Sequence, residues 1–133
     1  MIRSALAVVA GIAVLTATSF AIEAVANPVM LKIFHDALPN EAALRQNALA
    51  RLFLFFYTSL CVAGGGYVTA WLARRWPAGH AAMMGAVQLA LTVWAMFSLR
   101  EQAPLLNWMV SLVLVVPVAW CGGLLRARRM VQE

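Results

Sequence analysis

Charge is scarce in this sequence. Asp, Glu, Lys and Arg make up 11% of its 133 residues, and hydrophobic residues make up 64%. A soluble domain carries about 25% charge and roughly 45–50% apolar residues. Most apolar side chains here must therefore face something other than water. Groupings that carry chemistry are missing as well. The two cysteines, Cys61 and Cys121, and the two histidines, His35 and His80, share no Cys-x-x-Cys or His-x-x-x-His spacing. There is no Gly-x-Ser-x-Gly elbow and no phosphate-binding glycine loop. An enzyme needs a nucleophile with its base, a metal set or a cofactor motif. The expectation is a non-enzyme without cofactor or metal. Both cysteines fall in apolar runs, where a small, packable side chain is the simpler role.

What is present is apolar length. Ser4 to Ile22, Leu52 to Ala73, Ala81 to Leu99 and Gln102 to Leu125 contain no charged residue. Each can cross the roughly 30 Å hydrocarbon layer at about 1.5 Å per residue. None alternates with period two, and backbone groups in lipid must be satisfied internally, so these runs read as helices. The fold class expected is all-α: a four-transmembrane-helix bundle forming one membrane domain over 1–133, with spans of about 4–26, 50–73, 80–99 and 103–125. The first run competes with a signal peptide, since Ala24-Val25-Ala26 resembles a cleavage site. Its apolar stretch exceeds the usual 7–15 residues of such a peptide, which favours a retained helix.

Between the first two spans lies a stretch of mixed character. Asn27-Pro28 has the form of a helix cap and first residue. Val29, Met30, Ile33, Phe34, Ala37 and Leu38 then recur at helical spacing, opposite Lys32, His35 and Asp36. That pattern predicts a short interfacial helix between helices one and two, apolar side toward lipid. Pro39-Asn40 would stop it, and Asn40-Glu41 would cap the next.

Orientation follows from the basic residues. Arg3, Arg74, Arg75, Arg126, Arg128 and Arg129 share one end, and Lys32, Arg45, Arg51 and Arg100 share the other. The positive-inside rule counts Lys and Arg, so both termini are expected in the cytoplasm of a bacterial inner membrane. The net charge of +5 thus points to headgroups rather than nucleic acid. The partners expected are the bilayer and either a second copy or another membrane protein.

Few polar or small residues stand out within the spans. Glu23 is the one acid, and an intramembrane carboxylate is a functional candidate by default. Near a helix end it can equally form a structural pair, with Arg51 the first candidate partner and Arg100 the second. Gln88 is the most central strongly polar side chain; with Thr16, Thr58, Ser59 and the Val113 carbonyl freed by Pro117, it could line a polar cavity or make interhelical hydrogen bonds. Gly64, Gly65 and Gly66 with Ala70 form a candidate helix-packing face, because small residues let backbones approach in lipid. That face could serve the bundle itself or a partner. Ala-x-x-x-Gly opens both odd-numbered helices, at Ala7–Gly11 and Ala81–Gly85. Duplicated hairpins and coincidence both explain this.

A glutamate late in helix one, Gly-Gly-Tyr-Val-Thr-Ala-Trp-Leu-Ala at Gly65 to Ala73, His80-Ala81 opening helix three, and Gly122-Gly123 leading to an Arg-rich end resemble a loose group of small, uncharacterised four-helix bacterial inner-membrane proteins. The resemblance implies topology and no activity. Small multidrug transporters differ, with a mid-helix glutamate in a shorter chain. The function expected is that of an accessory or scaffold subunit or a homo-oligomer. The alternative is a small transporter or lipid- or ion-handling protein using Glu23.

Overall fold

A computed structural model describes residues 2–33, 43, 46–73, 76–99 and 104–132. Four helices account for nearly all of them: α1 (Ile2–Ile33), α2 (Ala48–Leu72), α3 (Pro77–Ser98) and α4 (Leu105–Gln132). All four are long and apolar enough to cross a membrane. The exterior matches that setting: Phe20, Trp94, Phe97 and Leu105 are each about 70% exposed. So large an apolar surface would be a liability in water.

The helix ends have identifiable local causes. Asn47 caps α2, its side-chain oxygen accepting from the Leu49 and Ala50 amides at 2.9 and 3.2 Å. This satisfies two of the amide donors that every helix start leaves open. The Asn40-Glu41 cap expected from the sequence lies outside the described residues. Pro77 takes the first position of α3, where its missing N–H costs nothing. Trp76 before it adopts left-handed backbone, φ 55°.

One boundary departs from expectation. Asn27-Pro28 does not begin a new helix; α1 runs through Pro28 to Ile33. A proline costs a membrane helix less than a soluble one, because neighbours and local adjustments re-satisfy the freed backbone. The apolar residues after it also continue the same surface: Met30 and Leu31, with Ala43, pack against Ala50. Val29–Ile33 thus belong to α1, and the rest of the stretch expected as a separate interfacial helix lies outside the described residues. At 32 residues, α1 is about 48 Å long.

Antiparallel pairing of α1 with α2, and of α3 with α4, brings the start of α1 and the end of α4 to one end of the bundle. Helix α2 touches all three others, while α1 and α4 each pack on both α2 and α3. Val8, Leu15, Val62, Met84, Val115 and Ala119 form the core.

Near the termini the helices meet backbone to backbone. A methyl group on Gly66 would run into the Ala119 carbonyl, and one on Gly122 into the Ala63 carbonyl. The α2–α4 crossing is thus reciprocal, each helix contributing an alanine and a glycine three residues apart. Gly65 faces α1, where an added methyl would stand 2.8 Å from the Gly11 carbonyl oxygen. Ala70 and Thr69 are fully buried. Gly64 differs from its neighbours: it is exposed, with nothing within 4 Å of where its side chain would be. Three of the four residues of the expected packing face therefore serve the bundle, and Gly64 points away from it. Ala7, Gly11, Ala81 and Gly85 are all buried; Gly11 rests over Gly65 and Thr69 of α2, and Gly85 over Val115, Val116 and Ala119 of α4.

Candidate functional site

Polar groups collect in the half of the bundle away from the termini, on different sides of α2. On the α1 side, the Tyr57 hydroxyl donates a 3.0 Å hydrogen bond to Glu23 Oε1. Tyr57 is buried and Glu23 half-buried. The Phe53 ring lies against the phenol, centroids 5.6 Å apart and planes tilted by 58°. The phenol body fills apolar space while its hydroxyl meets the carboxylate, the usual division of labour in a buried tyrosine.

Among the described residues no ion pair joins Glu23 to Arg51, and Arg100 lies outside them. The reason Arg51 misses is register. With α1 continuing to Ile33, the start of α2 lies beside the last turns of α1, as the packing of Ala50 on Met30 and Leu31 requires. Glu23 then falls level with Tyr57, six residues beyond Arg51 and about 9 Å deeper along the helix.

On its other side α2 helps to form a cleft of about 130 Å³ with α3 and α4. Five uncharged polar side chains line it: Thr58 and Ser59 from α2, Gln88 and Thr92 from α3, and Ser111 from α4. The apolar part of the wall comes from Phe55, Val62, Leu114, Val115 and Val118. Thr92 donates to the Gln88 backbone carbonyl at 2.8 Å, so its proton is spent within α3. Among the described residues the Gln88 side chain and the Ser59 and Ser111 hydroxyls have no hydrogen-bond partner. Among the described residues the cleft wall contains no ionisable side chain, and Glu23 and Tyr57 are not part of it.

Gln88, Thr58 and Ser59, grouped from the sequence as candidates for a polar cavity or for interhelical hydrogen bonds, all line this cleft, while two features grouped with them point elsewhere. Thr16 is exposed. Pro117 is exposed too, and Val113, whose carbonyl it frees, is 69% exposed. Thr92 and Ser111 were missed. Thr92 was within reach, being four residues from Gln88 and hence on the same face. Asn107 was also missed: it is 6% exposed near the start of α4, and its Oδ1 has no partner among the described residues. Asn107 sits one turn before Ser111, on the same face.

No family of known proteins, no curated protein and no solved structure matches this chain.

Proposed function

We propose that this chain is a non-enzymatic membrane bundle, an accessory or scaffold subunit or a homo-oligomer, with both termini in the cytoplasm of a bacterial inner membrane. The observation that carries this reading is the separation of Glu23 from the cleft. A carrier built on Glu23 needs its carboxylate to meet cargo along a polar route. Here the carboxylate accepts from Tyr57 on one side of α2, while the polar cleft lies on another. Toward the termini, contacts such as Gly66 on Ala119 make a rigid unit suited to holding a fixed outer surface. In this reading Val29–Ile33, the last residues of α1, lie at the outer interface, and the group resembled by the motifs supplies the same topology. In this reading the partners are lipid and a membrane protein, either a second copy or another chain.

Purification of the full chain in mild detergent, with its mass and co-purifying proteins determined, tests the proposal. A defined homo-oligomer or a stoichiometric membrane partner supports it. Reporter fusions at Met1 and Glu133 should both report cytoplasm; a periplasmic C-terminus overturns the orientation.

A second reading, a small transporter or lipid- or ion-handling protein using Glu23, draws support from that carboxylate itself, which is half-buried within a membrane-spanning helix. Proton- or cation-dependent uptake into vesicles that is abolished by Glu23→Gln would establish it over the first.

A further inference from the structure

We infer that the cleft between α2, α3 and α4 is a binding site for one small, uncharged, hydrogen-bonding molecule of the short-chain alcohol or primary amide class. The site goes beyond the scaffold reading and stands whether the bundle is a scaffold or a carrier.

Size sets the first limit. An apolar cavity of about 150 Å³ accommodates benzene, so the 130 Å³ cleft takes a molecule of similar bulk. Drug-sized pockets start near 300 Å³.

Wall chemistry sets the second. An ion would enter a low-dielectric space with no opposite charge to meet it, at a cost that only pairing offsets. The wall instead offers the Gln88 amide, both donor and acceptor, and the Ser59 and Ser111 hydroxyls, each able to play either role. These side chains are half-buried and have no partner among the described residues, so a molecule in the cleft can bond to them. A second observation points the same way. The buried Asn107 Oδ1, one turn outward on the Ser111 face, also lacks a donor among the described residues. What the site requires is a molecule bringing an O–H or N–H and accepting in return.

Water alone satisfies only half of the wall. Phe55, Val62 and Leu114 favour a ligand with a short hydrocarbon end. An alcohol or amide of a few carbons matches both halves, its polar group toward Gln88 and Ser111 and its chain toward Val62.

The test uses the full chain in detergent micelles and again in phosphatidylcholine vesicles. The probe is a short primary alcohol carrying a diazirine, and the control is the matching diazirine alkane. After irradiation, labelled residues are located by mass spectrometry. The expected result is alcohol labelling confined to the cleft walls of α2, α3 and α4, displaced by 1-butanol and lowered about three- to tenfold by Gln88→Leu. If Gln88→Leu does not fold, Ser111→Ala carries the same comparison. Equal labelling by alcohol and alkane overturns the proposal, since an apolar crevice alone would then explain capture. Labelling spread over the lipid-facing surface, or unaffected by 1-butanol and by the substitutions, overturns it too and leaves the cleft to water.

Discussion

Along the same four helices, the half near the termini and the half away from them solve the problem of packing in lipid by different means. Near the termini, six of the eight glycines are buried, and helices touch through Gly66 on Ala119 and Gly122 on Ala63. In the other half, one side-chain hydrogen bond joins two helices among the described residues, Tyr57 to Glu23, beside apolar contacts such as Met30 and Leu31 on Ala50. Lipid supplies no hydrophobic drive between helices, so close van der Waals fit and interhelical hydrogen bonds are the two available sources of affinity. This chain uses one at each end. The lesson is that close fit excludes space, whereas side-chain bonding leaves room for a cleft.

Breaking the tight half should have the largest effect. Gly66→Leu places a branched side chain where even a methyl meets the Ala119 backbone, which cannot swing aside as a flexible side chain would. The expected loss exceeds the ~1–3 kcal/mol typical of overpacking. Thermal unfolding in detergent should show the variant largely unfolded at temperatures the parent survives. A parent-like transition would mean that the α2–α4 crossing is not where stability lies.

The polar half should respond more weakly. Tyr57→Phe removes the hydroxyl and leaves the ring; about 1 kcal/mol is expected, the scale of interhelical hydrogen bonds in membranes. A double-mutant cycle sharpens this. Tyr57→Phe and Glu23→Gln should be coupled, the double variant losing less than the two single losses added. Arg51→Gln with Glu23→Gln should be additive within about 0.5 kcal/mol. Strong Arg51–Glu23 coupling would restore the ion pair that the register argues against.

A comparable loss, about 1 kcal/mol, is expected for Asn47→Ala, which removes the acceptor for two amides at the start of α2. Hydrogen exchange at Leu49 and Ala50 should rise locally, ahead of any change near Gly66. Exchange rising equally at both ends would make the two halves a single cooperative unit.

Gly64→Ala should have the smallest effect. With nothing within 4 Å, the methyl meets no protein atom, and replacing glycine in a helix can stabilise by up to about 1 kcal/mol. A marked loss of stability, or a change in oligomer mass, would show that this outward spot is covered by another molecule.

Much of this was readable in the residues, for reasons that also explain the misses. Hydropathy locates the four helices because an apolar run of that length has few other uses. Gln88, Thr58 and Ser59 could be grouped because polar residues in a charge-free run must face something besides lipid. Facing is a matter of rotation about the helix, which depth does not reveal, and so Thr16, at a similar depth, proved exposed. Arg51 was misjudged as the first partner of Glu23 through one boundary. Ending α1 near residue 26 places Arg51 beside Glu23, whereas continuing it through Pro28 slides α2 and brings Tyr57 level instead. Gly65 and Gly64 show the same limit at finer scale, since adjacent residues about 100° apart on a helix meet either a neighbouring backbone or nothing.

The reciprocal crossing of α2 and α4 also has a consequence in time. Gly66 and its α4 counterpart Gly122 are 56 residues apart in the chain, so the first is made well before the second. At ordinary synthesis rates of about 5–20 residues per second, that gap is on the order of several seconds. Throughout it, the side of α2 that ends against Ala119 has no protein to touch, while its other side can already close on α1 through Gly65 and Gly11. Assembly is therefore ordered by the ribosome. The first hairpin settles early with one small-residue groove still open, and the last span to be made is the one that fills it.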